Sequence, residues 1–115
     1  MTTKDIGNRG ETIAKEYLEK KGYNFVERNY SWGLGEIDLI MQVEDFLVFV
    51  EVKLRKNDDY GRPRDFVTLS KQDKIIKTAQ NYIESNELYN YQPRFDVVEI
   101  LTEDNYIEHI ENAFP

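Results

Sequence analysis

The chain has 115 residues, of which 40% are hydrophobic, and a net charge of −7 at pH 7. This length suits one domain, residues 1–115, with a modest core. No apolar run approaches the ~20 residues of a membrane span, and the polar N-terminus predicts no signal peptide. Cysteine is absent, which excludes disulfides and thiolate metal sites and favours a cytoplasmic location.

The first predicted element is a helix over residues 4–21, because apolar residues recur there near the 3.6-residue period. Gly22 provides its C-terminal stop. Glu11 lies at the border of the apolar stripe, where it either reaches toward the sheet or pairs with Lys15 one turn away. The spacing does not decide between these two. The apolar stripe consists of Ile6, Ile13, Ala14, Tyr17 and Leu18.

A strand over residues 23–30 is predicted next, followed by a loop over residues 31–35 that contains two glycines and Trp32. A tryptophan beside a polar site can stack on a nucleobase. It can equally cover an edge of the core, and we prefer this second interpretation because it is the commoner use of such a residue.

Residues 36–43 and 46–54 are predicted to form a β-hairpin with a two-residue turn. In this register paired residue numbers sum to 89, so Asp38 lies opposite Glu51. Alternation places Ile37, Leu39 and Met41 on one face of the first strand. Both faces of the second strand begin apolar, which predicts that it is central in its sheet.

Three charged residues interrupt this apolar hairpin. Asp38 and Glu51, with Cβ atoms about 4.5–5.5 Å apart, repel each other. Such a pair persists when one acid is protonated or when a cation lies between the two. Hard divalent ions such as Mg²⁺ and Mn²⁺ prefer these oxygen ligands, and Lys53 follows on the same face as Glu51. The three side chains together predict a site for metal-assisted hydrolysis; the alternative is a structural ion pair at a strand end.

The second half of the chain is predicted to contain a loop over residues 54–68, a helix over residues 70–86 and strands over residues 94–101 and 106–110. Ser70 is the predicted N-cap, with Asp73 in a capping box.

Residues 53–77 carry a net charge of +4 and the remainder −11, so this segment either follows a phosphate backbone or forms a solvated surface. His109, the single histidine, is assigned no role. The element order predicts an α/β fold with a mixed sheet of about five strands flanked by helices.

Several motifs carry a family resemblance. They lie at residues 7–11, 28–30, 35–40, 49–53, 67–68, 70–72, 94–98 and 107–114. Together they resemble the YraN-like family, which is similar to archaeal Holliday-junction resolvases and to the restriction-endonuclease-like superfamily with its acid…(Asp/Glu)-x-Lys motif. The resemblance implies a restriction-endonuclease-like fold.

The resemblance also implies a role for each matching residue. Asp38 and Glu51 would be metal-ligating acids, with the Val52 carbonyl as an additional ligand. Lys53 would orient or activate the attacking water and stabilise the developing phosphorane charge. Glu11 would complete the metal site. The resemblance therefore implies that Glu11 reaches toward the sheet, which spacing alone leaves open.

The predicted nucleic-acid contacts follow the hairpin. The resemblance places Lys71 and Gln72 on the helix that borders the cleft, and the basic Arg55 and Lys74 lie in the same segment. We therefore expect a Mg²⁺- or Mn²⁺-dependent endonuclease that hydrolyses phosphodiesters in branched or structured DNA. The alternatives are a catalytically inactive module that binds nucleic acid or a protein through the same fold, and a structural adaptor. Similarity to resolvases also implies a homodimer.

Overall fold

The computed structural model describes residues 3–57 and 67–115, with the side chains of residues 3–7 left out. The elements in chain order are α1 (Thr3–Lys20), β1 (Asn24–Trp32), β2 (Gly35–Val43), β3 (Phe46–Arg55), α2 (Leu69–Ser85), β4 (Gln92–Leu101) and β5 (Tyr106–Phe114). The side chain of the predicted stripe residue Ile6 and most of the predicted loop, residues 58–66, fall outside the described part. Neither described helix combines the length and apolarity needed to cross a bilayer.

The five strands form one sheet in the order β1-β2-β3-β4-β5. The β3–β4 pair is parallel and the other three pairs are antiparallel. A parallel pair needs a crossover connection, and α2 lies within it. The predicted mixed sheet of five strands flanked by helices is thus confirmed, and it is compatible with a restriction-endonuclease-like fold.

A separate core lies on each face of the sheet. Phe49 of β3 packs with Ile75 of α2, whereas Val50 packs with Ala14 and Leu18 of α1. Strand β3 therefore contributes to both cores, as expected for a central strand covered on both sides.

The predicted register of the β2–β3 hairpin is confirmed from Val43–Phe46 to Leu39–Val50. Glu44 opens the two-residue turn with a φ of 50°, the left-handed conformation that tight hairpin turns favour. The ladder ends at Leu39–Val50, one position before Asp38 and Glu51. The two strands therefore separate at the point where the predicted acids begin.

The predicted alternation of β2 is wrong at Ile37. Ile37 packs in the core on the α2 face, whereas Leu39 packs in the core on the α1 face. The change of face occurs at Asp38, which lies opposite Asn29 between two registered pairs of β1 and β2. Asn29 has a φ of 58°, and a left-handed residue interrupts the regular pleat.

Helix α2 begins earlier than predicted, and its N-cap is Thr68 rather than Ser70. Thr68 has an extended backbone, and its hydroxyl accepts a hydrogen bond from the Lys71 N–H at 3.2 Å. That geometry satisfies one of the free N–H groups of the first turn. Asp73 makes no capping box and instead forms an ion pair with Lys77 at 2.9 Å.

The β4–β5 pair is held by a buried polar network around Asp96. This carboxylate accepts hydrogen bonds from Arg94 at 2.8 and 2.9 Å, from His109 Nε2 at 2.7 Å and from the Asn112 N–H at 3.0 Å. His109 Nδ1 lies 2.7 Å from Lys21 Nζ, which can only donate, so Nε2 carries the ring proton. Burial opposes ionisation, but the His109 and Arg94 hydrogen bonds prevail and lower the pKa of Asp96.

Candidate active site

The site begins where β2 and β3 separate. Asp38 Oδ2 accepts a hydrogen bond from the Val52 N–H at 2.8 Å, so a side-chain carboxylate replaces the next backbone acceptor of the ladder. The N–H and C=O of one strand residue point to the same side. The Val52 carbonyl is therefore also directed toward β2 and Asp38.

Glu51 is the second acid, and it is only 6% exposed. Its Oε1 atom lies 2.6 Å from Lys71 Nζ and 3.2 Å from Lys53 Nζ. Two ammonium groups thus share one carboxylate oxygen. Lys53 comes from the same strand, whereas Lys71 comes from the first turn of α2. The structure therefore brings together the three predicted hairpin residues and adds Lys71, which was predicted only as a nucleic-acid contact.

The ionisation of these groups is strongly perturbed. Burial raises the pKa of Asp38 to about 7, and the charge of Glu51 adds to this effect. Burial and the neighbouring Lys71 lower the pKa of Lys53. For Lys71, burial acts in the opposite direction, but the hydrogen bond to Glu51 prevails and raises the pKa of its ammonium. An acid that titrates near neutral pH beside a lysine of lowered pKa is typical of a functional site.

Glu11 reaches the sheet from α1. Its carboxylate is buried and accepts a hydrogen bond from Arg28 Nη2 at 3.2 Å. It does not pair with Lys15, which binds Glu19 at 3.1 Å instead. The charge of Glu11 contributes to the raised pKa of Asp38, so the two acids are close in space. Glu11 is nevertheless absent from the lining of the cleft.

The acids open into a cleft of about 400 Å³ between the start of β2, the end of β3 and the first turn of α2. The positive end of the α2 dipole adds to the charge of Lys71 and Lys74, which line the cleft, whereas Lys53 does not line it. Gly35 allows the start of β2 to lie close to α2, since a Cβ atom on it would lie 2.0 Å from Thr78 Oγ1 and 2.6 Å from the Lys74 carbonyl oxygen. The lining residues are Leu34, Gly35, Glu36, Asp38, Glu51, Thr68, Ser70, Lys71, Lys74 and Ile75.

The other predicted nucleic-acid contacts lie around this cleft in different environments. Lys74 lines the cleft. The Gln72 amide donates a hydrogen bond to the Val67 carbonyl at 2.9 Å. Arg55 forms an ion pair with buried Glu99 of β4. That these residues contact nucleic acid stays a prediction.

Glu99 is a buried acid that sequence analysis missed. It is next to Lys53 in the parallel β3–β4 register. A signal for it exists in the sequence, because alternation places it on the same face of β4 as Phe95 and Val97. An acid on an apolar strand face is also the pattern that identified Glu51 in β3.

A divalent ion in this site would be held by oxygen donors. Across residues 3–57 and 67–115, no group of three or more His, Cys, Asp or Glu side chains is close enough together to hold a metal. Mg²⁺ is usually bound through one or two carboxylates, with waters completing the shell. Asp38, Glu51 and the Val52 carbonyl are hard oxygen donors of this kind. These residues fit a partly hydrated Mg²⁺ or Mn²⁺ ion, provided that Lys71 leaves its position at Glu51.

Fold and site together define a small mixed α/β protein with a partly buried acid–lysine cluster at the separation of two central strands. The chain belongs to the family described as "Uncharacterised protein family UPF0102", whose model matches residues 10–100. This confirms the resemblance to the YraN-like family that the motifs carry.

Similar proteins cover the chain almost completely. A UPF0102 protein of Caldanaerobacter subterraneus is 46% identical over 120 residues, with 99% of this chain and 98% of the relative covered. One of Clostridium beijerinckii is 47% identical over 115 residues, covering 96% and 94%. One of Clostridioides difficile is 45% identical over 114 residues, covering 99% and 100%. The domain thus corresponds to nearly the whole length of these relatives.

Proposed function

We propose that the protein is a divalent-metal-dependent endonuclease that hydrolyses phosphodiesters in branched or structured DNA. The observation that carries this proposal is the convergence of Asp38 and Glu51 with two lysines where β2 and β3 separate. Two repelling carboxylates in a partly buried site are costly to the fold. Such a cost is typical of residues retained for chemistry.

Each residue of the cluster has a role in the proposed reaction. Asp38, Glu51 and the Val52 carbonyl would hold Mg²⁺ or Mn²⁺, which when bound lowers the pKa of water and neutralises phosphate charge. Lys53 orients the attacking water and stabilises charge on the phosphoryl oxygens. Glu11 adds negative charge behind Asp38, which favours a cation in the cleft.

Lys71 has two partners in this proposal. In the structure it neutralises Glu51. With a cation held by Asp38 and Glu51, the Lys71 ammonium would pair with a phosphate oxygen of the substrate in place of the carboxylate. Lys74 contacts the next part of the backbone, and Arg55 and Gln72 border the path of the strand.

A homodimer is part of the proposal for a symmetric junction, since two strands are then cut by two sites related by symmetry. Sedimentation velocity of the protein with and without a four-way junction tests this. A complex that contains one copy per junction would contradict it.

The test of the proposed activity uses four-way junction, flap and linear duplex DNA with Mg²⁺ or Mn²⁺. We expect cleavage of a branched substrate that Asp38→Asn and Glu51→Gln abolish. Asp45→Asn is the matched control, because it makes the same chemical change in the exposed turn of the hairpin and should keep full activity. Absence of cleavage of every substrate, or equal cleavage by Asp38→Asn, would overturn the proposal.

A second function is favoured by the same lysines. Because Lys71 and Lys53 already neutralise Glu51 at 2.6 and 3.2 Å, the fold does not require a metal, which suits an inactive nucleic-acid-binding module. Salt-dependent DNA binding without turnover would support the module. A divalent-specific rise in melting temperature that Glu51→Gln abolishes would support the enzyme.

A further inference from the structure

A groove continues from the cleft along α2. We call it the Trp32 groove and define it by Trp32, Leu34, Lys74 and Lys77. It comprises two shallow cavities of about 200 and 150 Å³ that meet at Trp32 and Lys77. Leu34, Gly35 and Lys74 line both the cleft and the first cavity. A strand held at the acids can therefore extend directly into this groove.

The ring of Trp32 is exposed although its backbone is fixed. The side chain belongs to neither core, and the residue is 48% exposed, with Leu34 beside it 89% exposed. The Trp32 carbonyl lies 3.4 Å from the buried Thr78 hydroxyl, and Gly35 abuts the α2 backbone. That Trp32 covers a core edge stays a prediction, whereas its exposed side is available to a ligand. A rigid aromatic ring with a solvent-exposed face is suited to stacking.

Two lysines stand beside this ring on the same side of α2, since residues three apart are neighbours on a helix. Lys74 lines the first cavity and Lys77 lines both. Lys77 pairs with Asp73 at 2.9 Å, and both side chains are well exposed. Such surface pairs are weak, so the Lys77 ammonium can exchange this partner for a phosphate.

We infer that the Trp32 groove binds an unpaired stretch of nucleic acid, with one base stacked on Trp32 and its phosphates at Lys74 and Lys77. The placement of that strand beside the scissile bond rests on the proposed function, whereas the binding itself does not. A base inside a duplex is stacked on both faces, so only an unpaired base can offer a face to the indole. Flapped and splayed substrates supply such bases next to the branch point.

Trp32 is the single tryptophan of the sequence, so its emission reports on the groove. Single strands of oligothymidylate and oligouridylate, each of roughly 12 nucleotides, are titrated into the protein in EDTA, with a duplex of the same length for comparison. We expect the single strands to quench the emission and the duplex to leave it unchanged. A preference for thymidylate identifies DNA as the ligand and a preference for uridylate identifies RNA. Absence of quenching by both would overturn the inference.

Variants test the assignment through the anisotropy of labelled oligonucleotides. Trp32→Ala should weaken single-strand binding roughly tenfold, the change expected for one stacked base, and Trp32→Phe should restore most of it. Tyr89→Ala is the matched control, because Tyr89 is 67% exposed and lies outside the groove. Equal affinities of the two alanine variants would overturn the inference. Thermal melts followed by circular dichroism establish that each variant is folded.

Lysine variants test the phosphate contacts. Lys77→Ala and Lys15→Ala each remove one charge and one i,i+4 ion pair, on α2 and α1 respectively. Only Lys77→Ala should weaken binding and lower the slope of log affinity against log salt by about one. Equal effects of both would contradict the groove. If single strands bind as described but no DNA is cleaved, the proposed nuclease activity is refuted and the inferred groove is supported. If Trp32→Ala cleaves and binds DNA as well as the unchanged protein, the groove is refuted and the nuclease activity is supported.

Discussion

Replacing Asp38 with asparagine should stabilise the protein, and should do so by more at about pH 8 than at about pH 5. Burial and the charge of Glu51 make the ionised form of Asp38 unfavourable, and asparagine removes that charge. In the native protein the Val52 N–H donates a hydrogen bond to the Asp38 carboxylate. The amide oxygen of asparagine is an acceptor for the same hydrogen bond. The substitution therefore isolates the electrostatic cost of the acid.

The magnitude follows from the pKa of Asp38, which is raised from 3.8 to about 7. Between these values the folded protein keeps a proton that the unfolded chain has lost, so the free energy of unfolding falls as pH rises. The full difference corresponds to about 4 kcal/mol. Water entering the cleft lowers this figure, so we expect about 2 kcal/mol at about pH 8, or a melting temperature higher by roughly 8 °C.

Urea unfolding followed by circular dichroism, in EDTA and at both pH values, measures this difference. Asp45→Asn in the exposed turn serves as the control and should change stability by less than about 0.5 kcal/mol. If Asp38→Asn changed stability equally at both pH values, or destabilised the protein at the higher one, the reasoning about the buried acid would be refuted.

Three further substitutions test other parts of the structure. Gly35→Ala should lower the free energy of unfolding by about 1–3 kcal/mol in urea titrations, because the added methyl collides with the α2 backbone. Asp96→Asn should cost about 3–5 kcal/mol at neutral pH by leaving Arg94 unpaired; since the pKa of Asp96 is lowered, this difference should disappear in acid. Lys71→Gln should tighten Mg²⁺ binding roughly tenfold, measured by melting temperature against Mg²⁺ concentration, because it removes the cation at Glu51.

Matched controls accompany two of these changes. Asp104→Asn is an exposed counterpart of the Asp96 change and should be neutral at all pH values. Lys15→Gln removes a helical ion pair on the other face of the sheet and should not alter Mg²⁺ binding. Equal loss from both aspartate variants, or equal Mg²⁺ affinity in both lysine variants, would contradict the assigned roles.

The hairpin and its acids were predictable because their signals are local. Alternation in β3 and a two-residue turn are enough to bring Asp38 and Glu51 to the end of the same ladder. The central position of β3 followed from its two apolar faces. Periodicity likewise identified the buried stripe of α1, including Ala14 and Leu18.

The remainder depends on backbone geometry and on docking between distant elements. The altered face of Ile37 coincides with a left-handed Asn29 on the neighbouring strand, and nothing in the pattern of β2 itself indicates it. The contact between Lys71 and Glu51 depends on where the crossover sets α2 over the sheet. The exposure of Trp32 also depends on where α2 docks, because the contact of α2 with Gly35 determines which side of the end of β1 remains open.

The chain-order arrangement of the sheet has a consequence for how the protein folds. Asp38 and Glu51 belong to one hairpin, whose contacts are short-range and form early, whereas Lys71 arrives only when the slower crossover to β4 is complete. We expect the two acids to face each other without their neutralising lysine in the nascent chain. Pulse-labelled amide exchange should accordingly protect the amides of the β2–β3 ladder before those of the parallel β3–β4 pair, and simultaneous protection would contradict this order. The end of the hairpin that carries the chemistry would then be its last part to become native.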